Sequence, residues 1–130
     1  MPDAPPGPVD PRMHLGRAGE DAAARYLESR GYRVVARNAR ADRVELDLVV
    51  EARGVVVFVE VKTRRSRRMG PPEASVDARK QARIARGAAA WLRQQRRRPR
   101  RVRFDVVACE PLPDGRFRIR HLEAAFDAGP

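Results

Sequence analysis

A chain of 130 residues supports one domain with a modest core, and with only one Trp, two Tyr and four Phe its packing must rest on valine, leucine and alanine. A formal charge of +11 and a pI near 11.4 point to a polyanionic partner, nucleic acid above all, unless the charge merely records a genome bias toward arginine. A single cysteine, Cys109, excludes an internal disulfide and fits a reducing compartment; no apolar run approaches the ~18–20 residues of a membrane span, and no secretory signal is recognised, so a cytoplasmic protein is expected.

In chain order, residues 1–11 hold five prolines and are expected to form a disordered tail. A helix is expected from about residues 12–16 to Arg30, ended by Gly31. Its apolar stripe is Leu15, Ala18, Gly19, Ala22, Ala23, Tyr26 and Leu27. Glu20 falls at the edge of that stripe, where a carboxylate either reaches across the sheet into a site or turns to water. Tyr32 to Asn38 reads as a first strand, followed by a basic loop over residues 39–43.

The stretch Val44 to Lys62 then alternates with the period of a strand on both sides of Glu51-Ala52-Arg53-Gly54. Val44, Leu46, Leu48 and Val50 are expected on one face of the first strand. Val55, Val57, Val59 and Val61 share one face of the second, with Phe58, Glu60 and Lys62 on the other. With Arg53-Gly54 as the central turn residues, Ala52 pairs Val55 and the register carries Asp47 opposite Glu60, with Cβ atoms ~5 Å apart. Two carboxylates so placed repel unless a cation or proton lies between them. They are either a solvated strand face or a site for a divalent ion, whose preference is for oxygen ligands. Of 28 basic residues only Lys62 and Lys80 are lysine. A lysine retained at the end of Glu60-Val61-Lys62 suggests a demand for a compact amine that can lose its proton, as a guanidinium cannot.

Thr63 to Ser75 carries Arg64, Arg65, Arg67 and Arg68 and reads as a mobile loop suited to phosphate contacts or simply solvated. A second helix, capped by Ser75 or Asp77, is expected to run to about Arg96. Its apolar side carries Ala78, Ala82, Ala85, Ala88, Ala89 and Leu92, with Arg79, Arg83, Arg86 and Arg93 elsewhere. Lys80 faces either the hairpin or solvent, and Trp91 is expected in the core. Seven arginines lie between Arg93 and Arg103; of these Arg96, Arg97, Arg98, Arg100 and Arg101 are taken, with the 64–68 group, as nucleic-acid contacts. Arg103 to Cys109 alternates as a strand, Asp114-Gly115 turns into another strand over 116–122, and Phe126 is expected to dock the C-terminal tail, 127–130. His14 and His121 lack partners at metal-ligand spacing and are read as ordinary residues. The order α-β-β-β-α-β-β fits an α/β sandwich on a mixed sheet.

Asp47 followed, after an antiparallel hairpin, by Glu60-Val61-Lys62 resembles the PD-(D/E)XK nuclease pattern. The wider chain resembles the small, largely uncharacterised bacterial family of YraN-like proteins, which have an endonuclease-like fold related to Holliday-junction resolvases. The matching segments are Gly16-Arg17-Ala18-Gly19-Glu20, Gly31-Tyr32, Arg37-Asn38, Glu45-Leu46-Asp47-Leu48, Phe58-Val59-Glu60-Val61-Lys62 and Arg103-Phe104-Asp105-Val106-Val107. They extend over about residues 12–126, the expected single domain.

That resemblance implies a restriction-endonuclease-like α/β sandwich with a mixed five-stranded sheet flanked by helices. It implies Mg²⁺, with Mn²⁺ as an alternative, held by Asp47, Glu60 and the Val61 carbonyl. Lys62 would position or polarise the attacking water, and Glu20 would complete the site from the first helix. Glu45 matches the acidic residue just before the aspartate, and Lys80 is an accessory candidate. The glycine usual before that glutamate is Val44 here. The leading expectation is a metal-dependent nuclease acting on structured or branched DNA, for which symmetric junction cutting would make a homodimer attractive. The alternatives are a non-catalytic nucleic-acid-binding protein that kept the fold, and a partner of another protein or of ribosomal RNA.

Overall fold

The helical periodicity of the first quarter of the chain becomes α1 (Pro11–Ser29), and the elements that follow are β1 (Arg33–Ala41), β2 (Val44–Ala52), β3 (Val55–Thr63), α2 (Ala78–Arg93), β4 (Arg101–Pro111) and β5 (Phe117–Phe126). The computed structural model describes residues 11–65, 71 and 76–127. Expectations for the tail over 1–10, for Arg67, Arg68 and Ser75, and for 128–130 lie outside the described residues. The α-β-β-β-α-β-β order is as expected, and the sheet is mixed, ordered β1-β2-β3-β4-β5. Only β3 and β4 run parallel, and α2 is the crossover between them.

Local chemistry sets the element ends. At the end of α1 the Tyr32 amide donates to Leu27 and the Gly31 amide to Glu28, with Gly31 at φ +95°, a Schellman closure. Arg53 and Gly54 both take positive φ, the mirror-image turn that matches strand twist. The expected basic loop over 39–43 shrinks to Asp42-Arg43, because β1 continues to Ala41 and pairs it with Val44. Asp77 caps α2 by accepting from the Lys80 amide at 2.9 Å. The helix stops at Arg93 rather than Arg96.

One helix covers each face. Ala23, Ala24 and Leu27 of α1 pack with Leu48, Val50, Val57, Val59, Val107 and Cys109. On the other face Ile84, Ala88, Ala90 and Trp91 of α2 pack with Val44, Leu46, Val49, Val56, Phe58, Phe104 and Val106. Trp91 is a core residue, edge-on to Phe58, and Phe126 stacks on Phe104 with centroids 5.1 Å apart.

The alternation expected in β2 fails at one point, next to the acidic pair. Leu46 packs toward α2 while Leu48, two residues on, packs toward α1. Opposite that point, in β1, Asn38 takes a left-handed φ of +49°. Arg37–Leu48 and Ala39–Leu46 remain paired on either side of Asn38. Asp47 is thereby freed from the alternation that governs its neighbours.

Candidate metal centre and its two lysines

The β2–β3 register holds as expected from Ala52–Val55 to Leu48–Val59 and stops one pair short of Asp47 and Glu60. There the Asp47 side chain replaces the backbone, its Oδ2 accepting from the Val61 amide at 2.9 Å. Glu60 sits on the α2 side of β3 and is only 8% exposed. The first turn of α2 brings Lys80 to it, with Nζ 3.3 Å from Glu60 Oε1. In a chain whose other basic residues are all arginine, both lysines therefore meet at one carboxylate.

The electrostatics follow from that crowding. Burial, reinforced by the Asp47 charge, pushes the Glu60 carboxyl up to about 7 despite Lys80 and Lys62. Burial also raises Asp47, against the pull of the Val61 amide and the two lysines. Lys62 moves the other way: burial, then the hydrogen bond and charge of Lys80, lower its ammonium to about 8. Lys80 is raised, because the hydrogen bond to Lys62 and the attraction of Glu60 outweigh its own burial. Of the two amines Lys62 is the one whose proton is held less tightly.

Helix α1 contributes Glu20 from the opposite side. Glycine at 19 allows this, since a Cβ there would collide with Thr63 Oγ1. The Cys109 thiol also donates to the Gly19 carbonyl at 3.4 Å, holding the helix against the ends of β3 and β4. Glu20 Oε2 accepts from Asn38 at 3.2 Å. Burial raises its carboxyl, the Asn38 bond opposes this, and the charges of Asp47 and Glu45 add to it. Glu45 itself is exposed. Among the described residues no three His, Cys, Asp or Glu side chains converge as a ready-made metal cage.

The arginines divide. Arg64 and Arg65 follow directly on Lys62-Thr63 at the acidic end of β3. Arg96, Arg97, Arg98, Arg100 and Arg101 are exposed but lie at the other end of the sheet. The Arg100 and Arg101 amides donate to Gly54, and Arg101 pairs with Val55. Lys62 lies seven residue steps along β3 from Val55, about 23 Å at strand rise. The structure does not bring these five arginines to the acidic pair.

A second polar cluster escaped the sequence reading. Asp105, fully buried, accepts two bonds from Arg103 at 2.8 Å, one from the Ala124 amide at 3.0 Å, and pairs with His121 Nε2 at 2.7 Å. Arg103 also donates to the Tyr32 hydroxyl, and His121 Nδ1 lies 3.3 Å from the Tyr26 hydroxyl. Burial would raise Asp105, but the bonds from His121, Arg103 and Ala124 hold it below the usual carboxylate range. His121, read from the sequence as an ordinary residue, is thus the partner of a buried carboxylate. The cluster ties α1 and β5 to β4, and its signal was a carboxylate sharing a strand face with Val107 and Cys109.

Fold and site define a mixed-sheet α/β protein with a mutually repelling carboxylate pair at one end of a central strand, next to two lysines. The chain belongs to the uncharacterised protein family UPF0102, the YraN-like family, whose model matches residues 19–109. A UPF0102 protein of Symbiobacterium thermophilum is 52% identical over 114 residues, covering 88% of this chain and 97% of that one. One from Frankia alni is 46% identical over 86% of this chain and 93% of its own, and one from Trichlorobacter lovleyi 43% identical over 87% and 90%.

Proposed function

We propose that the protein is a divalent-metal-dependent nuclease that hydrolyses phosphodiester bonds in structured or branched DNA. The observation that carries this is the nearly buried Glu60, raised to about 7 beside an Asp47 that is also raised. Two acids held in each other's field are a donor set in want of a cation. Mg²⁺ fits that set, because it keeps several waters and needs only one or two carboxylates. Asp47 and Glu60 would hold it. Val61 would add its carbonyl, since an extended residue directs its carbonyl to the same side as its amide, here toward Asp47. Glu20 would close the set from α1. When bound, the ion lowers the pKa of a water and offsets charge building on the phosphate.

The lysines divide the remaining work. Lys62, titrating at about 8, is substantially neutral in mildly alkaline solution and can accept a hydrogen bond or a proton from the attacking water. Lys80 stays charged, donates to Lys62, and faces the anionic substrate. A bound cation offsets the Glu60 and Asp47 charges that help Lys62 keep its proton, so the rate should climb with pH and level off below 8. Arg64 and Arg65, next along the chain from Lys62-Thr63, would hold the backbone beside the scissile bond.

The test is incubation with four-way-junction, flap and single-stranded DNA in Mg²⁺, Mn²⁺ or EDTA. Metal-dependent cleavage abolished by Asp47→Asn and by Lys62→Ala is expected; cleavage surviving both refutes the assignment. One observation favours a second reading, a nucleic-acid-binding protein without catalysis. Glu60 already has Lys80 at 3.3 Å and Asp47 already has the Val61 amide, so the site carries internal partners for its charge. That reading predicts salt-sensitive binding and no nicking of any substrate.

A further inference from the structure

Helix α2 carries four arginines and one lysine in sixteen residues, and no aspartate or glutamate. At 100° per residue Arg79, Arg83, Arg86 and Arg93 fall within an arc of about 80°, and all four are exposed. Ile84, Gly87, Ala88 and Trp91 are buried on the other side. Helix stability does not account for that stripe. Arg79 and Lys80 in the first turn oppose the helix dipole, and Arg79 and Arg83 repel at i, i+4 spacing. Of the four, Arg86 alone has a carboxylate partner among the described residues, Asp42 at 3.0 Å.

The placement of the stripe gives it a direction. It starts beside Lys80, which touches Glu60, and runs to Arg93 at the opposite end of the sheet. There the exposed arginines between Arg96 and Arg101, tied to the β2–β3 turn at Gly54, continue it. We infer that the outer face of α2 is a phosphate track, along which a nucleic-acid duplex lies as it leaves the acidic pair. Arg79 to Arg93 is about 21 Å at helical rise, the axial length of about six base pairs. The arginines remote from the acidic pair thus become the distal end of one continuous contact. Substrate is a duplex arm rather than an isolated strand. The inference rests on the nucleic-acid part of the proposed function and not on catalysis.

The experiment is fluorescence anisotropy with a labelled 16-base-pair hairpin duplex, in EDTA, over a range of salt. In Arg79→Ala/Arg83→Ala/Arg93→Ala the slope of log affinity against log salt should shrink by about three, one per lost phosphate contact. Affinity at low salt should drop at least about tenfold. A control triple, Arg25→Ala/Arg30→Ala/Arg116→Ala, removes the same charge from the α1 side and the β4–β5 turn, and should bind nearly as wild type. The α2 triple should melt no lower than wild type, since alanine favours helix and the repulsion is gone. Equal loss in both triples overturns the track, as does a wild type that binds anionic phosphatidylserine vesicles but no duplex. A protein that binds through α2 yet never cleaves in Mg²⁺ refutes the nuclease alone; cleavage unaffected by the α2 triple refutes the track alone.

Discussion

Glu60→Gln should make the metal-free protein more stable, and only above a defined pH. The Glu60 carboxyl titrates at about 7 in the folded chain against 4.5 when unperturbed. Between those values the unfolded chain has released a proton that the folded chain retains. Stability therefore falls as pH rises through that window, and the whole penalty is present above 7. At 1.36 kcal/mol per pH unit this amounts to about 3 kcal/mol. The attraction of both lysines is already contained in that figure, so glutamine, a stand-in for the protonated acid, should recover most of it.

For a domain of this size about 3 kcal/mol corresponds to a rise in melting temperature of about 10 °C at pH 8. At pH 4, where the acid is protonated in both states, the variant and wild type should nearly coincide. Urea or thermal unfolding at the two pH values reads the difference directly. Mg²⁺ adds a second arm: by linkage it should raise the wild-type melting temperature at pH 8 and leave Glu60→Gln largely unmoved. A variant no more stable than wild type at pH 8, or one whose gap is the same at pH 4, would show that the acid pair is relaxed and refute the electrostatic reasoning.

Three further outcomes can be checked by simple means. Asp105→Ala leaves the Arg103 guanidinium without its carboxylate in a mostly buried place and should destabilise by about 3–5 kcal/mol in urea unfolding; a loss below about 1 kcal/mol contradicts the assigned role. Gly19→Ala drives a Cβ into Thr63 Oγ1 and should destabilise by about 1–3 kcal/mol, with partial rescue by Thr63→Ala measured in the same assay. The Cys109 thiol, buried and pushed up to about 12, should resist alkylation at pH 8 in the folded protein and react at once in denaturant.

Much of the hairpin was legible because its information is local. Arg53-Gly54 fixes a mirror-image turn, the turn fixes Ala52 opposite Val55, and a two-residue period carries that register to Leu48–Val59. It failed at Asp47, where the faces of β2 exchange opposite the left-handed Asn38, a residue of another strand. Lys80 shows the same limit. Its place in the first turn of α2 could be read from Asp77, but not which strand that turn would rest on. Asp105 was set among apolar neighbours in the alternation, yet its partners His121 and the Ala124 amide lie further along the chain on another strand.

The sequence alone determined the order and type of the elements, the central turn, and Glu60 and Lys62 on one face of β3. Periodicity, capping and turn chemistry act over a few residues and leave their mark in the string. Tertiary structure decided what those residues meet: the second lysine at Glu60, the Asp47 carboxylate turned onto the Val61 amide, and the separation of the 96–101 arginines from the acids. Each depends on how helices and strands pack across the sheet, and packing is settled by the whole core at once rather than by any one stretch of chain.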